Sequence, residues 1–241
     1  MEKEKCVLKG SEADAYSQMK KNTVDAKNQL EESEFVRFMN PNGKGKKILF
    51  IGNSITLHGK LPSIGWNHEW GMAASEKEKD YVHIVMKKTE EIYPDSQFCI
   101  CQVAEWERDY QNGQSKLPLF VNARRFCADI LIVRLIENCP IDRFDPQIFK
   151  RELDSLLGFL NPSRQGAVIL TTGFWKHPGD QALIDYAKEN NLPCVVLGDL
   201  GEQDAMKAIG RFEHEGVANH PGDLGMEKIA ERIFAALPKR C

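Results

Sequence analysis

Short apolar runs alternate with helical patterns along most of the chain, and this alternation restricts the possible fold more than any other feature. Five runs are rich in Ile, Val and Leu, and most of them lack the polar alternation of a half-exposed strand. This composition is typical of parallel strands that are covered on both faces. The runs comprise residues 47–52, 97–103, 129–135, 167–172 and 193–197.

Between the runs, apolar residues recur at three- and four-residue steps, which is the spacing of one face of an α-helix. Four such patterns cover residues 80–93, 149–160, 181–190 and 223–236. Strands that alternate with helices indicate βαβ crossovers. The sequence therefore predicts a three-layer α/β/α fold with a five-stranded parallel sheet of the flavodoxin-like type. In such sheets ligands bind beyond the carboxyl ends of the strands, so we expect the functional residues directly after the apolar runs.

The chain of 241 residues is expected to form one α/β domain over residues 46–238, preceded by an extension over residues 1–45. The extension lacks a strand-like run. Residues 11–34 have a weak apolar stripe and are predicted to be helical, and residues 40–45 form a turn cluster before the first strand. The extension is either a helix that packs on the domain or on a partner, or a solvated arm.

The charge and the cysteines exclude several classes of partner. A formal net charge of −3 gives no electrostatic reason to bind a polyanion, so we expect no nucleic acid. The N-terminus has no apolar signal region, and no stretch approaches the ~20 apolar residues of a membrane span. Seven cysteines without zinc-type spacing predict free thiols and no metal site. Unless a leader has been removed, these features favour a cytoplasmic protein without a membrane partner.

Ser54 follows the first apolar run in the segment Gly-Asn-Ser-Ile-Thr, residues 52–56. A glycine there lets the chain turn sharply, which leaves the serine hydroxyl at the carboxyl end of the strand and near the start of the next helix. A hydroxyl nucleophile would lie in this position. The same composition is also common in turns and N-caps, which is the alternative interpretation of Ser54.

His220 stands in the segment His-Pro-Gly-Asp, directly before the last helical pattern. Pro, Gly and Asp stop the chain and cap the helix, so the histidine is predicted on the loop that enters it. A general base must reach a hydroxyl within hydrogen-bond distance, and a loop at the carboxyl edge of the sheet suits that role. The alternative is a capping or surface histidine.

Asn138 follows the third run, in the segment Arg-Leu-Ile-Glu-Asn. Its amide does not ionise and can donate a hydrogen bond to an oxyanion, although an asparagine can also simply end a strand. We expect Arg134 and Glu137 to form an ion pair that shapes the pocket.

Four tryptophans fall in or beside loops that follow apolar runs, toward the expected active edge. Flat aromatic faces suit sugar rings or acyl groups, and the indole N–H can bind a ligand, although loop packing would explain these residues equally well. The tryptophans are Trp66, Trp70, Trp106 and Trp175. We expect the substrate pocket to include Asn53, Trp70, Glu137 and Trp175.

Together these motifs resemble the blocks of the SGNH (GDSL-like) hydrolases. The segment at residues 52–56 is similar to the nucleophile block, which is usually written Gly-Asp-Ser, and Glu137-Asn138 resembles the Asn block. His220-Pro221 resembles the terminal His block, and the order and strand placement match over residues 47–237. The phrases GNSIT, WGMAAS, EN and VANHPGD also resemble a bacterial subgroup that is often described as carbohydrate or acetyl esterases.

The resemblance has gaps at positions that matter for catalysis. The family usually has an Asp three residues before the His, where this chain has Val217. Glu213, Asp223 or a backbone carbonyl could replace that third triad member.

Two glycines of the family pattern are also absent. Ile136 stands where a glycine normally precedes the Asn, and the segment after the second run is Ala-Glu-Trp-Glu. A backbone N–H near Trp106 could still join the Ser54 N–H and the Asn138 side chain in an oxyanion hole.

The resemblance implies serine-dependent hydrolysis of a carboxylic ester through an acyl-enzyme, with Ser54 as nucleophile, His220 as base and no cofactor. The expected substrate is a small-molecule or oligosaccharide ester, with a small acyl group such as acetyl on a carbohydrate. One alternative is a cytoplasmic thioesterase or lysophospholipase on the same scaffold. Another is a catalytically weakened hydrolase that binds ligands or partners through the cleft. A flavodoxin-like nucleotide binder is disfavoured because no Gly-x-Gly-x-x-Gly follows a strand.

Overall fold

A single sheet of six strands runs through the part of the chain that the computed structural model describes, residues 30–238. The strand order is β1-β3-β2-β4-β5-β6. Strands β2 to β6 are parallel, whereas β1 pairs with β3 in the antiparallel direction. The strands are β1 (Val36–Met39), β2 (Lys47–Gly52), β3 (Gln97–Gln102), β4 (Ile130–Arg134), β5 (Ala167–Thr171) and β6 (Cys194–Val195). The predicted α/β fold, with five parallel strands, is confirmed.

Helices connect the parallel strands, and the four predicted helical patterns correspond to the longest of them. The helices are α1 (Tyr81–Ile92), α2 (Ala104–Arg108), α3 (Val121–Phe126), α4 (Pro146–Leu160), α5 (Asp180–Glu189), α6 (Glu215–Ala218) and α7 (Asp223–Ala235). Side-chain caps fix where three of them begin: the Asp80 carboxylate accepts the His83 N–H, Asp145 accepts the N–H groups of Gln147 and Ile148, and the His214 imidazole accepts the Val217 N–H. Within residues 30–238, no helix is long and apolar enough to cross a bilayer.

The sheet is buried on both faces, which explains why its strands lack polar alternation. Successive side chains of a strand point to opposite faces. In β2, Leu49 and Ile51 pack in the cluster that includes α4 and α5, whereas Ile48 and Phe50 pack in the cluster that includes α1 and α7. The three layers predicted from the sequence are therefore present.

Strand β1 was not predicted, because the first 45 residues were expected to contain no strand. Its four residues are too few to show a clear period, and their strand conformation is fixed by pairing with β3, with Val36 opposite Cys101 and Met39 opposite Phe98. The sheet thus begins before the expected domain boundary at residue 46. Most of the predicted helix at 11–34 lies outside the described residues, and residues 30–34 are not helical.

Burial of Val36 gives a test of how firmly β1 belongs to the sheet. The Val36 side chain is 0% exposed, whereas Val196 is 54% exposed. We expect Val36→Ala to lower the free energy of unfolding by about 2 kcal/mol, because buried methyl groups are lost and a cavity remains. Val196→Ala, the same change on the surface, should stay within about 0.5 kcal/mol. Equilibrium urea denaturation measures both, and equal small effects would show that β1 does not stabilise the domain.

Candidate active site

Ser54 and His220 meet at the carboxyl edge of the sheet, although 166 positions separate them in the chain. Ser54 lies two residues after β2, and its Oγ is 2.9 Å from Nε2 of His220. His220 lies on the connection between α6 and α7. The backbone of that connection is held at both ends, because the His220 N–H donates to the Val217 carbonyl and the His220 carbonyl accepts the Ala208 N–H. The structure therefore brings the predicted nucleophile and base into direct contact.

A backbone carbonyl occupies the place of the third triad member. Nδ1 of His220 is 2.7 Å from the carbonyl oxygen of Gly216. Because a carbonyl can only accept, Nδ1 carries the ring proton in this arrangement, and Nε2 is left to accept the Ser54 hydroxyl proton. Of the three alternatives that the sequence left open, the structure favours the backbone carbonyl.

The two carboxylates considered for that role lie elsewhere. Asp223 accepts hydrogen bonds from the Ser75 backbone N–H at 2.9 Å and from the Ser75 hydroxyl at 2.8 Å, and it pairs with Arg211. Glu213 is exposed to solvent. Neither holds the imidazole of His220, so the expectation that one of them completes a triad is wrong for this structure.

Val217, at the position of the family's usual Asp, is part of a small apolar cluster. Its side chain is 1% exposed and packs with Trp66, Met72, Ala73 and Ala208. This cluster joins the loop after Ser54 to the segment that precedes His220. A carboxylate at this position would lose these apolar contacts and would have to be desolvated. The apolar residue thus stabilises the loops that hold the two reactive side chains together.

The loss of hydration around the half-buried His220 imidazole favours its neutral form. Desolvation is the main reason why the pKa of His220 is lowered to about 4, and the positive charges of Arg134 and His58 lower it further. The Gly216 carbonyl and Glu137 act in the opposite direction. At neutral pH the imidazole therefore has a free lone pair on Nε2, as a general base requires.

A buried carboxylate connects the nucleophile segment to the Asn block. Glu107 on α2 is fully buried, and its Oε1 accepts a hydrogen bond from Nδ2 of Asn53 at 3.1 Å. Its Oε2 accepts from Nδ2 of Asn138 at 2.7 Å, and the backbone N–H of Ile136 donates to Oε1. Burial, followed by the negative charge of Glu137, raises the pKa of Glu107 to about 7. The segments after β2 and β4 thus share one acceptor.

The predicted ion pair between Arg134 and Glu137 is confirmed. The guanidinium of Arg134 donates to the Glu137 carboxylate and to the side-chain oxygen of Asn53. Glu137 also accepts from Nδ2 of Asn53 at 2.7 Å and from the Phe174 N–H at 2.9 Å. Burial opposes ionisation, but Arg134 and these hydrogen bonds hold the pKa of Glu137 below its ordinary value.

Asn53 and Glu137 therefore support the site from beneath instead of lining a pocket. Asn53 is 1% exposed, and the Glu137 side chain is 5% exposed. Because the polar groups of both side chains are already hydrogen-bonded within the buried network, the expectation that these residues contact substrate directly is wrong. Asn138 is half-buried, and one hydrogen of its amide is used by Glu107, which leaves the other for a ligand.

The four tryptophans divide into two buried and two half-buried residues. Trp175 lies against His220, with ring centroids 5.0 Å apart in an edge-to-face arrangement. Trp70 stacks on His68 at 4.2 Å and donates its indole N–H to the Ala74 carbonyl. Only these two of the four tryptophans have exposed surface near the site loops.

Trp106 corrects the expected oxyanion hole. The residue is 0% exposed, and its ring packs on Phe149 in the core. Its own backbone N–H is therefore closed to a substrate, and Trp106 itself does not complete the hole; an N–H from a neighbouring residue stays a prediction. The backbone N–H of Ser54 has no hydrogen-bond acceptor among residues 30–238, so this second predicted donor remains available.

Sequence reasoning missed two groups of the site. Glu107 belongs to the Ala-Glu-Trp-Glu segment that lacks the family glycine, and nothing in the sequence distinguishes it from Glu105, which is partly exposed and pairs with Arg108. The Gly216 carbonyl has no side-chain signal at all. Among the described residues, no group of three or more His, Cys, Asp or Glu side chains could hold a metal ion.

Comparison with solved structures identifies the fold. A two-domain esterase active on acetylated mannans, co-crystallised with mannopentaose, matches with a TM-score of 0.51 and 19% identity, over 79% of this chain and 48% of that chain. The salicylyl-acyltransferase SsfX3 from a tetracycline biosynthetic pathway matches with a TM-score of 0.54 and 14% identity, over 82% of this chain and 57% of that chain. A lipase/acylhydrolase from Enterococcus faecalis matches with a TM-score of 0.50 and 15% identity, over 81% of this chain and 100% of that chain.

These similarities show that the chain has the three-layer α/β fold of these three enzymes, as the motif resemblance implied. The chain spans about half the length of the mannan-active esterase, which has a second domain. No sequence-family model matches the chain, and no curated protein is similar to it in sequence.

The half-buried position of His220 gives a prediction on its charge. Because burial lowers its pKa to about 4, the imidazole should still be neutral at pH 5.5, where an ordinary histidine with a pKa near ~6.5 is mostly protonated. Nitrogen and carbon chemical shifts of the imidazole, assigned by comparison with His220→Gln, report the protonation state. A peptide of residues 214–223 provides the exposed reference. A folded protein in which His220 is charged at pH 5.5 would contradict the assignment.

Proposed function

We propose that the protein hydrolyses a carboxylic ester through an acyl-enzyme on Ser54. The observation that carries the proposal is the 2.9 Å contact between the Ser54 hydroxyl and Nε2 of a neutral, half-buried His220. A hydroxyl is a weak nucleophile unless an adjacent base removes its proton. The Gly216 carbonyl orients that base through Nδ1, which is the role of the Asp in a complete triad.

In the first half of the reaction, Oγ of Ser54 attacks the acyl carbon while Nε2 of His220 takes the hydroxyl proton. The carbonyl π electrons move to the oxygen, which becomes an oxyanion. When this intermediate collapses, the bond to the alcohol oxygen breaks and His220 returns the proton to the leaving alcohol. In the second half, water attacks the acyl-enzyme, His220 takes its proton, and Oγ recovers that proton as the carboxylic acid leaves.

Two donors are available for the oxyanion. The Ser54 backbone N–H is without an internal acceptor in the described part of the chain, and the Asn138 amide has one hydrogen left after its bond to Glu107. Donors that are fixed before the reaction stabilise the developing charge without reorganising, and each contributes roughly 10²–10³ in rate.

We infer that the substrate is a small acyl ester, such as an acetyl group, on a carbohydrate. One half-buried aromatic residue, Trp175, contacts His220, and two more, the stacked Trp70 and His68, belong to the loop that follows Ser54. Aromatic faces bind the apolar faces of sugar rings, and the indole N–H can bind a hydroxyl. The mannan-active esterase with the same fold supports this substrate class.

Replacement of Ser54 tests the proposed chemistry. We expect saturable hydrolysis of p-nitrophenyl acetate by the wild type, and a fall in kcat of at least about 10⁴-fold in Ser54→Ala, as for other serine hydrolases that lose the nucleophile. Ser155→Ala is the matched control, because the Ser155 hydroxyl only donates to the Arg151 carbonyl within α4. Circular dichroism checks that each variant is folded.

The ester series then separates the candidate substrates. A preference for acetyl over octanoyl esters, together with acetate release from acetylated manno-oligosaccharides, supports a carbohydrate esterase. A preference for long acyl chains or for thioesters would replace it with a lysophospholipase or thioesterase. Wild-type protein and Ser54→Ala that are equally inert on all of these would favour a hydrolase-like binding protein.

A further inference from the structure

We propose that Glu107 is a positioning residue: its buried carboxylate fixes the Asn138 amide in the orientation that meets the oxyanion. This inference rests on the proposed ester hydrolysis and deepens it, because it assigns a role to a residue outside the family motifs. Glu107 does not touch substrate, since it is fully buried beneath the site.

The Glu107 carboxylate is shared between the segment after β2 and the segment after β4. Oε2 accepts only the Asn138 amide among the described residues, whereas Oε1 accepts the Asn53 amide and the Ile136 N–H. An Asn side chain at the end of a strand is otherwise free to rotate about χ2 and exchange its oxygen and nitrogen. When one N–H of the Asn138 amide is bound to Oε2, the direction of its second N–H is fixed. The nitrogen, not the oxygen, is then presented to the ligand.

Ile136, two residues before Asn138, has an unusual backbone conformation. Its φ is +126°, a region in which a β-branched residue is strained and which few residues other than glycine adopt. Such a backbone persists only where its surroundings hold it. Glu107 accepts the Ile136 N–H on one side.

Packing holds the Ile136 side chain on the other side. The residue is fully buried, and a Cβ built on Gly173 or Gly179 would come within 2.9 Å or 2.7 Å of it. Two glycines thus leave the room that this isoleucine fills. The strained turn that presents Asn138 is therefore fixed by a carboxylate and by a matched packing contact.

Only a carboxylate at position 107 can accept hydrogen bonds from all three donors, which are the Asn53 amide, the Ile136 N–H and the Asn138 amide. A glutamine at position 107 has one accepting oxygen and one NH₂ group. If its oxygen stays with Asn53 and Ile136, its NH₂ faces the NH₂ of Asn138, and two donors cannot bond. The Asn138 amide must then flip or move, which removes the oxyanion donor while the cleft itself keeps its shape.

A double-mutant cycle on Glu107 and Asn138 tests the proposal. We expect Glu107→Gln to lower kcat about 100-fold, the effect of losing one oxyanion donor, with KM changed less than about threefold. Asn138→Ala should have a similar effect. If Glu107 acts through Asn138, the double variant should be no more than about threefold slower than the slower single variant. Effects that multiply, or an unchanged kcat in Glu107→Gln, would overturn the proposal.

Two further variants separate positioning from folding. Glu152→Gln changes another buried carboxylate, on α4, which pairs with Arg151, and it should leave kcat unchanged. Glu107→Asp keeps a carboxyl group at this position and serves if the Gln variant does not fold. Because its side chain is one methylene shorter, it should still lower kcat at least about tenfold. Wild-type kcat in a folded Glu107→Asp protein would overturn the proposal.

A readout without turnover distinguishes this inference from the proposed function. The side-chain N–H signals of Asn138 in a nitrogen–proton NMR spectrum should shift and exchange faster with solvent in Glu107→Gln, and not in Glu152→Gln. Unchanged Asn138 signals would overturn the positioning role even if Ser54-dependent hydrolysis is found. If no ester is hydrolysed but these signals change as expected, the proposed function fails while the structural link between Glu107 and Asn138 stands.

Discussion

A buried group of charges beneath the carboxyl edge of the sheet determines how the candidate site is built. Glu107, Arg134 and Glu137 lie in the interior, where an unpaired charge costs far more than at the surface. Two carboxylates and one guanidinium cannot all be neutralised by pairing, so the surplus must be satisfied by hydrogen-bond donors. Those donors come from Asn53 and from the segment of Ile136 and Asn138. The segments that hold the proposed nucleophile and the proposed oxyanion donor are thereby tied together.

The loops around His220 follow a different principle, because they are joined by apolar contacts. Val217 packs against Trp66 and Met72, so the segment that precedes His220 is anchored to the loop that follows Ser54. The imidazole lies between this apolar cluster and the polar network, with Trp175 against its ring. Desolvation lowers the pKa of the half-buried histidine, and the hydrogen bond to the uncharged Gly216 carbonyl raises it only in part. The dyad thus combines a base that is always unprotonated at neutral pH with a partner that fixes its tautomer.

The sequence was sufficient where a local pattern determines the structure. The five apolar runs end within two residues of the strands, because parallel strands buried on both faces have a composition that no loop shares. Ser54, His220 and Asn138 could be found because chain order and strand ends bring them to one edge. Strand β1 was missed because its conformation depends on pairing with β3. Glu107 and the Gly216 carbonyl were missed because burial and backbone direction are properties of the folded chain.

The gaps in the family pattern acquire a different meaning once the folded chain is considered. Taken one motif at a time, Val217, Ile136 and the missing glycine after β3 each look like a lost catalytic feature. In the structure, the Gly216 carbonyl accepts the hydrogen bond of His220 that an Asp is expected to accept. Glu107 lies in the segment after β3, where the family glycine is missing, and bonds to Asn138.

Ile136 completes this argument, because its strained backbone costs about 1–3 kcal/mol in isolation. A glycine at this position would relax the turn. Instead, Gly173 and Gly179 leave space for the isoleucine, and Glu107 bonds to its N–H. Support from two independent directions holds the turn before Asn138 in one conformation, which is the condition for a fixed hydrogen-bond donor at this edge of the sheet.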